Sequence, residues 1–173
     1  MNIYCIHERQ EKYKERLENI EKQLCKVREE YNLNWVDSFP ADDFEKECDT
    51  PFNKLHLSKS KAEKSCFWKH YDALKKISNS KTHGLVLEDD AAFKPSIISE
   101  CETLLDVLDN EKNFYINIEY SSYDVPIWYI NKTLVKMKGT KRAAGYLVSP
   151  ISAKMLCDVV EGYLSRKEAF DYP

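Results

Sequence analysis

The 173-residue sequence predicts an α/β fold, a three-layer sandwich in which helices flank a mainly parallel central sheet. Two observations support the sandwich. Short apolar runs alternate along the chain with longer amphipathic segments, and an apolar fraction of 43% is sufficient for one hydrophobic core. We therefore expect one domain over residues 1–173, with ligands bound beyond the carboxyl ends of the strands.

Apolar periodicity defines the elements of the first half. From Tyr13 to Tyr31 apolar residues recur four and three positions apart, which gives one continuous helix face. A serine before the next periodic segment is suited to cap a second helix. The predicted elements are a strand at 2–7, a helix from Glu8 to Tyr31, a strand at 34–39, a loop at 40–57, and a helix from Ser58 or Ser60 to Ile77.

The second half continues the alternation of strands and helices. A compact apolar run ends just before Glu88, and apolar residues alternate from Phe114 to Tyr120, as expected of strands. Pro150 is suited to the first position of a helix. The predicted elements are a strand at 83–87, a helix at 95–108, strands at 114–120 and 144–149, a strand or hairpin at 128–137, and a helix at 150–164.

Charge and hydropathy exclude several classes of protein. The 26 basic and 29 acidic residues give a net charge of −3, which argues against a general nucleic-acid binder. The apolar runs are far shorter than the roughly 20 residues of a membrane span. Because the first ten residues are already polar and charged within seven positions, we predict no signal peptide and a cytoplasmic protein, with at most peripheral membrane contact.

The six cysteines are widely spaced and include no Cys-x-x-Cys pair. A zinc site usually requires closely spaced ligands, so this pattern does not predict one. A secreted chain with three disulfides is the alternative, but the predicted cytoplasmic setting favours free thiols.

Three consecutive carboxylates, Glu88, Asp89 and Asp90, follow the predicted strand 83–87. Clustered like charges are costly unless a cation or solvent compensates them, and Mg²⁺ and Mn²⁺ prefer such hard oxygen ligands. A metal held here would bind a diphosphate. It would take the place of a phosphate-binding loop, which the four glycines of the chain do not form. The alternative interpretation is an acidic turn in water that caps the next segment.

Two further patterns have both a functional and a structural interpretation. Cys66, His70 and Leu74 share one helix face, which we expect to pack on the sheet, and Glu63 lies one turn earlier. On such a face a histidine is more often a hydrogen-bonded core residue than a functional one. The small residues of 143–145 allow either a bound ligand or a packed element to approach the backbone closely.

Five ordered segments together resemble glycosyltransferase family 25, the lipooligosaccharide and procollagen galactosyltransferase family. Leu87 to Asp90 is identical to its Leu-Glu-Asp-Asp element. Its Glu-x-Gly-Cys-x-x-Ser-His element is similar to residues 63–70, in which Glu63, Cys66 and His70 match and Ser65 and Lys69 depart.

The remaining segments of the resemblance lie toward the two ends of the chain. Residues 3–9 take the place of the family's Asn-Leu-Asp-Arg-like turn, with His7 where Asn is usual. Residues 39–43 are similar to its Ala-x-Asp-Gly segment, with Asp43 in place of Gly, and 145–153 are similar to its Ala-Tyr-x-x-Ser-x-x-Gly-Ala element. A late Asp of the family is similar to Asp171.

This resemblance implies a GT-A fold and inverting transfer of a sugar from a nucleotide sugar, commonly UDP-galactose, to a saccharide or hydroxylysine. It implies Mn²⁺ or Mg²⁺ as the cofactor, and lipooligosaccharide biosynthesis as the setting. The implied roles are Asp90 as the metal ligand, His7, Arg9, Glu88 and Asp89 as donor contacts, and Glu63 and His70 as structural support. Inverting transfer also needs a base, for which Asp171 and Asp124 are the candidates, and the resemblance favours Asp171 as the catalytic base.

Family chains usually run well past the position of Asp171, so the resemblance also implies a single domain without the family's C-terminal portion. Two other functions stay open at this point. One is a degenerate module that binds a nucleotide sugar or glycan without turnover. The other is a metal-dependent phosphoryl-transfer enzyme, because clustered carboxylates suit that chemistry too.

Overall fold

A mixed five-stranded sheet forms the centre of the fold in the computed structural model, which describes residues 1–25, 29–42, 60–94, 96–108, 112–119, 126–129, 135–137 and 143–166. The strand order is β2-β1-β3-β7-β4, and β5 and β6 pair separately as an antiparallel ribbon. The strands are β1 (Asn2–Ile6), β2 (Asn32–Val36), β3 (Gly84–Glu88), β4 (Tyr115–Asn117), β5 (Pro126–Tyr129), β6 (Val135–Met137) and β7 (Gly145–Val148).

Four α-helices accompany the strands in the described ranges, and the last three begin close to their predicted positions. They are α1 (Lys14–Leu24), α2 (Lys61–Ser78), α3 (Ile97–Val107) and α4 (Pro150–Arg166). Ser60 begins α2 through a capping box. Its hydroxyl accepts a hydrogen bond from the Glu63 amide at 3.2 Å, and the Glu63 carboxylate accepts one from the Ser60 amide at 2.8 Å.

The α/β prediction is confirmed, but the mainly parallel sheet is correct only in part. β1 pairs in parallel with β2 and β3, whereas β7 is antiparallel to both of its neighbours, β3 and β4. Strands β1 to β4 follow one another through α1, α2 and α3, and such crossover helices keep strands parallel. β7 follows the β5–β6 ribbon instead, without a crossover helix in the described residues, and runs in the opposite direction.

Helices cover both faces of the sheet, which gives the predicted three layers. Successive strand residues point to opposite faces, so Ile3 and Leu85 pack with α1 and α3, whereas Tyr4 and Val86 pack with α2 and α4. Each of these four side chains is at least 96% buried. The sheet is therefore buried on both sides, and ligands have access at its ends.

The predicted helix from Glu8 to Tyr31 begins too early. A short 3₁₀ turn at Glu11–Tyr13 precedes α1, and Glu8 and Arg9 are not helical. Their side chains make tertiary contacts, Glu8 with Lys69 and Arg9 with Asp37. These contacts outweigh a helical propensity that is worth only tenths of a kcal/mol per residue, on the order of magnitude of host–guest scales. Most of the predicted loop at 40–57 lies outside the described residues.

No helix in the described parts of the chain is long and apolar enough to cross a membrane.

Candidate functional site

Asp89, the middle carboxylate of the acidic run, is buried and paired. Its Oδ2 lies 2.7 Å from Nδ1 of His7 and accepts a hydrogen bond from the Glu8 amide at 3.3 Å. Both His7 and Asp89 are more than 90% buried. The pair therefore ties the end of β3 to the end of β1, and it lies beneath the surface rather than on it.

Glu88 turns to the opposite side and contacts α2. Its Oε1 lies 2.9 Å from His70 Nε2 and accepts a weaker hydrogen bond from the Cys66 thiol at 3.7 Å. The hydrogen bond from His70 holds the pKa of Glu88 below its ordinary value, despite the opposing effect of burial. Burial raises the pKa of Cys66 to about 12, so this thiol is protonated at neutral pH.

Asp90 is the most accessible of the three carboxylates. Its side chain is 47% exposed, and Oδ2 lies 3.2 Å from Nη1 of Arg16, which extends from α1. The same guanidinium nitrogen is 3.8 Å from Asp89 Oδ1. The acidic run is therefore neither a free turn in water nor an uncompensated cluster. Each carboxylate has a basic partner from a different element, which the local sequence does not reveal.

A buried ion pair lies next to the acidic run. Lys69 Nζ is 2.6 Å from Glu8 Oε2, and the two side chains are 3% and 14% exposed. The same oxygen accepts hydrogen bonds from the Ser65 hydroxyl and the Ala41 amide, both at 3.3 Å. Glu8 Oε1 has no hydrogen-bond partner in the described residues. Ser65 and Lys69 are the two positions of segment 63–70 that depart from the family element, and both contact Glu8.

A cavity of about 1010 Å³ opens at this end of the sheet. Its walls come from α2, the end of β3, the chain after Asp90, β4, the start of β7 and α4. Glu88 and Asp90 give the cavity an acidic edge. The aromatic lining residues are Phe67, Trp68, Tyr71, Phe93, Tyr115 and Tyr146. The cavity therefore combines the apolar walls and few convergent polar groups that are typical of small-molecule sites.

Four of the predicted site residues line this cavity, namely Glu63, His70, Glu88 and Asp90. His7 and Asp89 form the buried pair described above. Arg9 is 67% exposed at the side chain and forms an ion pair with Asp37 at 2.6 Å. This ion pair and a hydrogen bond from Arg9 lower the pKa of Asp37, although burial of Asp37 opposes the shift. Asp171 and Asp124 lie outside the described residues.

The helix face with Cys66 and His70 does not pack into the core as expected. The residues of α2 that are buried toward the core are Ser65, Trp68, Lys69, Ala73 and Ile77. Cys66 and His70 lie beside this face and are only partly buried. His70 therefore lies at the end of the sheet, where its Nδ1 is 3.2 Å from the Tyr146 hydroxyl.

Gly145 bears on both interpretations of the small-residue segment before β7. A Cβ at this position would lie 3.1 Å from Ile118 Cγ1 and 3.5 Å from Leu87 Cδ2. The glycine therefore packs tightly against these two side chains. Ala143, Ala144 and Gly145 also line the cavity, so the same segment contributes to its wall.

Comparison with known families identifies a match. The model of glycosyltransferase family 25, described as LPS biosynthesis protein, matches residues 8–171 and so covers most of the chain. The chain belongs to glycosyltransferase family 25. It is therefore a glycosyltransferase, and the acidic run and the Cys66–His70 helix lie within the matched region. A search of curated proteins found no match.

Proposed function

We propose that this glycosyltransferase moves galactose from a UDP-sugar to a saccharide or hydroxylysine-type acceptor, with inversion at the transferred carbon. The observation that carries the proposal is the half-exposed carboxylate of Asp90, which lines a large cavity at the carboxyl end of β3. The family description, which refers to LPS biosynthesis, favours a glycan acceptor of the lipooligosaccharide type. A GT-A fold and a cytoplasmic setting are part of the same proposal.

Donor binding depends on a divalent cation in this proposal. Mg²⁺ and Mn²⁺ are usually held by one or two carboxylates together with substrate phosphates. Asp90 fits this requirement, because its oxygens are hard ligands and its side chain is accessible from the cavity. When bound, the cation would neutralise the diphosphate as it leaves. Arg16 pairs with Asp90 through a solvent-exposed contact of small energy, so a bound cation can displace it.

The other carboxylates of the run have different tasks in this proposal. Glu88 borders the cavity and contacts the ribose or sugar of the donor. Asp89 and His7 are paired beneath the surface, so they support the donor site by fixing the ends of β1 and β3. Arg9 lies beside them at the end of β1, where its guanidinium is accessible to the donor.

The acceptor hydroxyl must lose a proton as it attacks, and a carboxylate near the far face of the sugar would accept that proton. We propose Asp171 for this role, from the family resemblance, with Asp124 as the alternative. Replacing the base should lower turnover strongly and leave UDP binding intact. Release of UDP from UDP-galactose in the presence of acceptor, measured for wild type and Asp171→Asn, separates these two effects.

The decisive test of the donor site is calorimetric titration of UDP in the presence of Mn²⁺. Asp90→Asn keeps the side-chain size and removes the charge, so UDP affinity should fall by about tenfold or more. Asp106→Asn is the matched control, because Asp106 is an exposed residue of α3 away from the cavity. Equal affinity in wild type and Asp90→Asn, or UDP binding that is indifferent to Mn²⁺, would reject the metal role of Asp90.

A further inference from the structure

Three side chains at the edge of the cavity combine a sulfur, a nitrogen and an oxygen donor. Cys66 Sγ, His70 Nε2 and a carboxylate oxygen of Glu88 all lie within 4.8 Å of one another. Cys66 and His70 are one turn apart on α2, and Glu88 is the last residue of β3. This donor set differs in chemistry from Asp90, which offers oxygen alone.

We infer that Cys66, His70 and Glu88 form a binding site for Zn²⁺, separate from the proposed Mn²⁺ ligand Asp90. Zn²⁺ is bound by mixtures of thiolate, imidazole and carboxylate, whereas Mg²⁺ and Mn²⁺ favour oxygen ligands. Three protein ligands with one open position are typical of zinc sites that also bind water or an anionic oxygen. All three residues line the cavity, so a group in the cavity has access to that position.

Two of the three donor separations are close to those around a zinc ion. Tetrahedral Zn²⁺, with bonds of about 2.0–2.3 Å, separates its donors by roughly 3.3–3.7 Å. Cys66 Sγ is already 3.7 Å from Glu88 Oε1, and His70 Nε2 must move away from that oxygen by a few tenths of an ångström from its present 2.9 Å. The third pair, Cys66 Sγ and His70 Nε2, lies within 4.8 Å. Glu88 therefore already contacts both residues of α2 that would share the ion with it.

A second interaction orients the histidine toward the ion. His70 Nδ1 lies 3.2 Å from the hydroxyl of Tyr146, which is 98% buried in β7. Metal-binding histidines commonly use their second ring nitrogen in this way, because the bond fixes the ring and selects the nitrogen that faces the metal. Helix α2 and strand β7 thus hold His70 from two sides.

Spectroscopic titration of the reduced, metal-free full chain with Co²⁺ tests the inference. Tetrahedral Co²⁺ with a thiolate ligand gives a near-ultraviolet charge-transfer band and strong visible bands. We expect one equivalent of Co²⁺ to saturate these bands and Zn²⁺ to abolish them. Cys66→Ser should lose the charge-transfer band, whereas Cys157→Ser should retain it. Tyr146→Phe should keep the spectrum and bind about tenfold more weakly.

Absence of a saturable charge-transfer band in wild type, or its full retention in Cys66→Ser, would overturn the site. Far-ultraviolet circular dichroism checks that the variants fold, and His70→Asn provides a second ligand change should Cys66→Ser not fold. Asp90→Asn should retain the Co²⁺ spectrum while losing Mn²⁺-dependent UDP binding. The test uses no donor sugar, so its outcome is independent of the proposed transfer reaction.

Discussion

Lys69 shows how a single buried charge is accommodated in this protein. Its ammonium is 97% buried and lies 2.6 Å from the Glu8 carboxylate, which in turn accepts two further hydrogen bonds. Such a pair is not strong evidence for stability, because both charges are removed from water. Breaking it is nevertheless costly, because one charge is then left buried without a partner.

We expect Lys69→Met to destabilise the fold by about 3–5 kcal/mol. Adding Glu8→Gln should restore part of that loss, because the uncompensated carboxylate is then gone. Urea denaturation of the single and double variants measures both effects. Lys154→Met is the control: Lys154 is exposed and pairs with Asp158 on the surface of α4, so its replacement should leave the midpoint unchanged. A midpoint for Lys69→Met equal to that of the wild type would contradict the burial argument.

The ionisation of Glu88 should make the stability of the fold depend on pH. The hydrogen bond from His70 lowers the pKa of Glu88 in the folded protein, so its ionised form stabilises the fold. That contribution is complete above the unfolded-state pKa of roughly 4.3 and is lost as the pH falls through the lower folded-state pKa.

The stability advantage of wild type over Glu88→Gln should therefore be constant near neutral pH and disappear at acidic pH. Urea denaturation over a series of pH values measures the difference. Glu18→Gln, on the exposed surface of α1, should show no such dependence. An advantage that grows as the solution becomes more acidic would show that the sign assigned to Glu88 is wrong.

At the scale of the elements, the close packing of α2 against the sheet depends on one glycine. A Cβ at Gly84, the first residue of β3, would lie 2.3 Å from Ile77 Cδ1 and 2.5 Å from its Cγ1. Ile77 is fully buried and β-branched, so it has little freedom to move away. The glycine therefore permits the close approach of the end of α2 to β3.

Gly84→Ala should cost about 1–3 kcal/mol through overpacking. Gly162→Ala provides the opposite case, because nothing lies within 4 Å of its added Cβ and the residue is inside α4. There alanine should stabilise the protein by about 0.5–1 kcal/mol. Thermal melts of the two variants should show a lower melting point for Gly84→Ala and a higher one for Gly162→Ala than for the wild type. A wild-type melting point for Gly84→Ala would indicate that the sheet and α2 separate easily.

At the scale of the whole molecule, the cysteines in the described ranges have the thiol chemistry of a reduced protein. All five cysteines in the described ranges are free, and Cys48 lies outside them. Cys25 is exposed, whereas burial raises the pKa of both Cys101 and Cys157 to about 11. Accessibility favours reaction at Cys25, and the raised pKa values of Cys101 and Cys157 lower the thiolate content of these two residues.

Denatured protein prepared without reductant should titrate six thiols. In the native state, mass-resolved alkylation should modify Cys25 well before Cys101 and Cys157, and Cys25→Ser should remove this fast phase. A deficit of two thiols in freshly purified protein would point to a disulfide instead.

The sequence by itself predicted the order of the strands and helices and the acidic run at the end of β3. These features follow from local rules: apolar periodicity distinguishes strands from helices, and the chain direction places Glu88, Asp89 and Asp90 at the carboxyl end of a buried strand. The cap of α2 was predicted as Ser58 or Ser60, because a serine before a periodic apolar segment is itself a local signal, and the structure selects Ser60. The family resemblance was predicted from short contiguous motifs and is confirmed over residues 8–171.

Only the tertiary structure decided how those residues are paired. His7 and Asp89 are 82 positions apart, and Glu8 and Lys69 are 61 apart, so no local pattern selects either pair. Strand direction is equally non-local: β7 fits between β3 and β4 as an antiparallel strand, although its sequence alone is compatible with either direction. Periodicity specifies which side chains are buried, whereas charge pairing and strand order depend on which elements meet when the core closes.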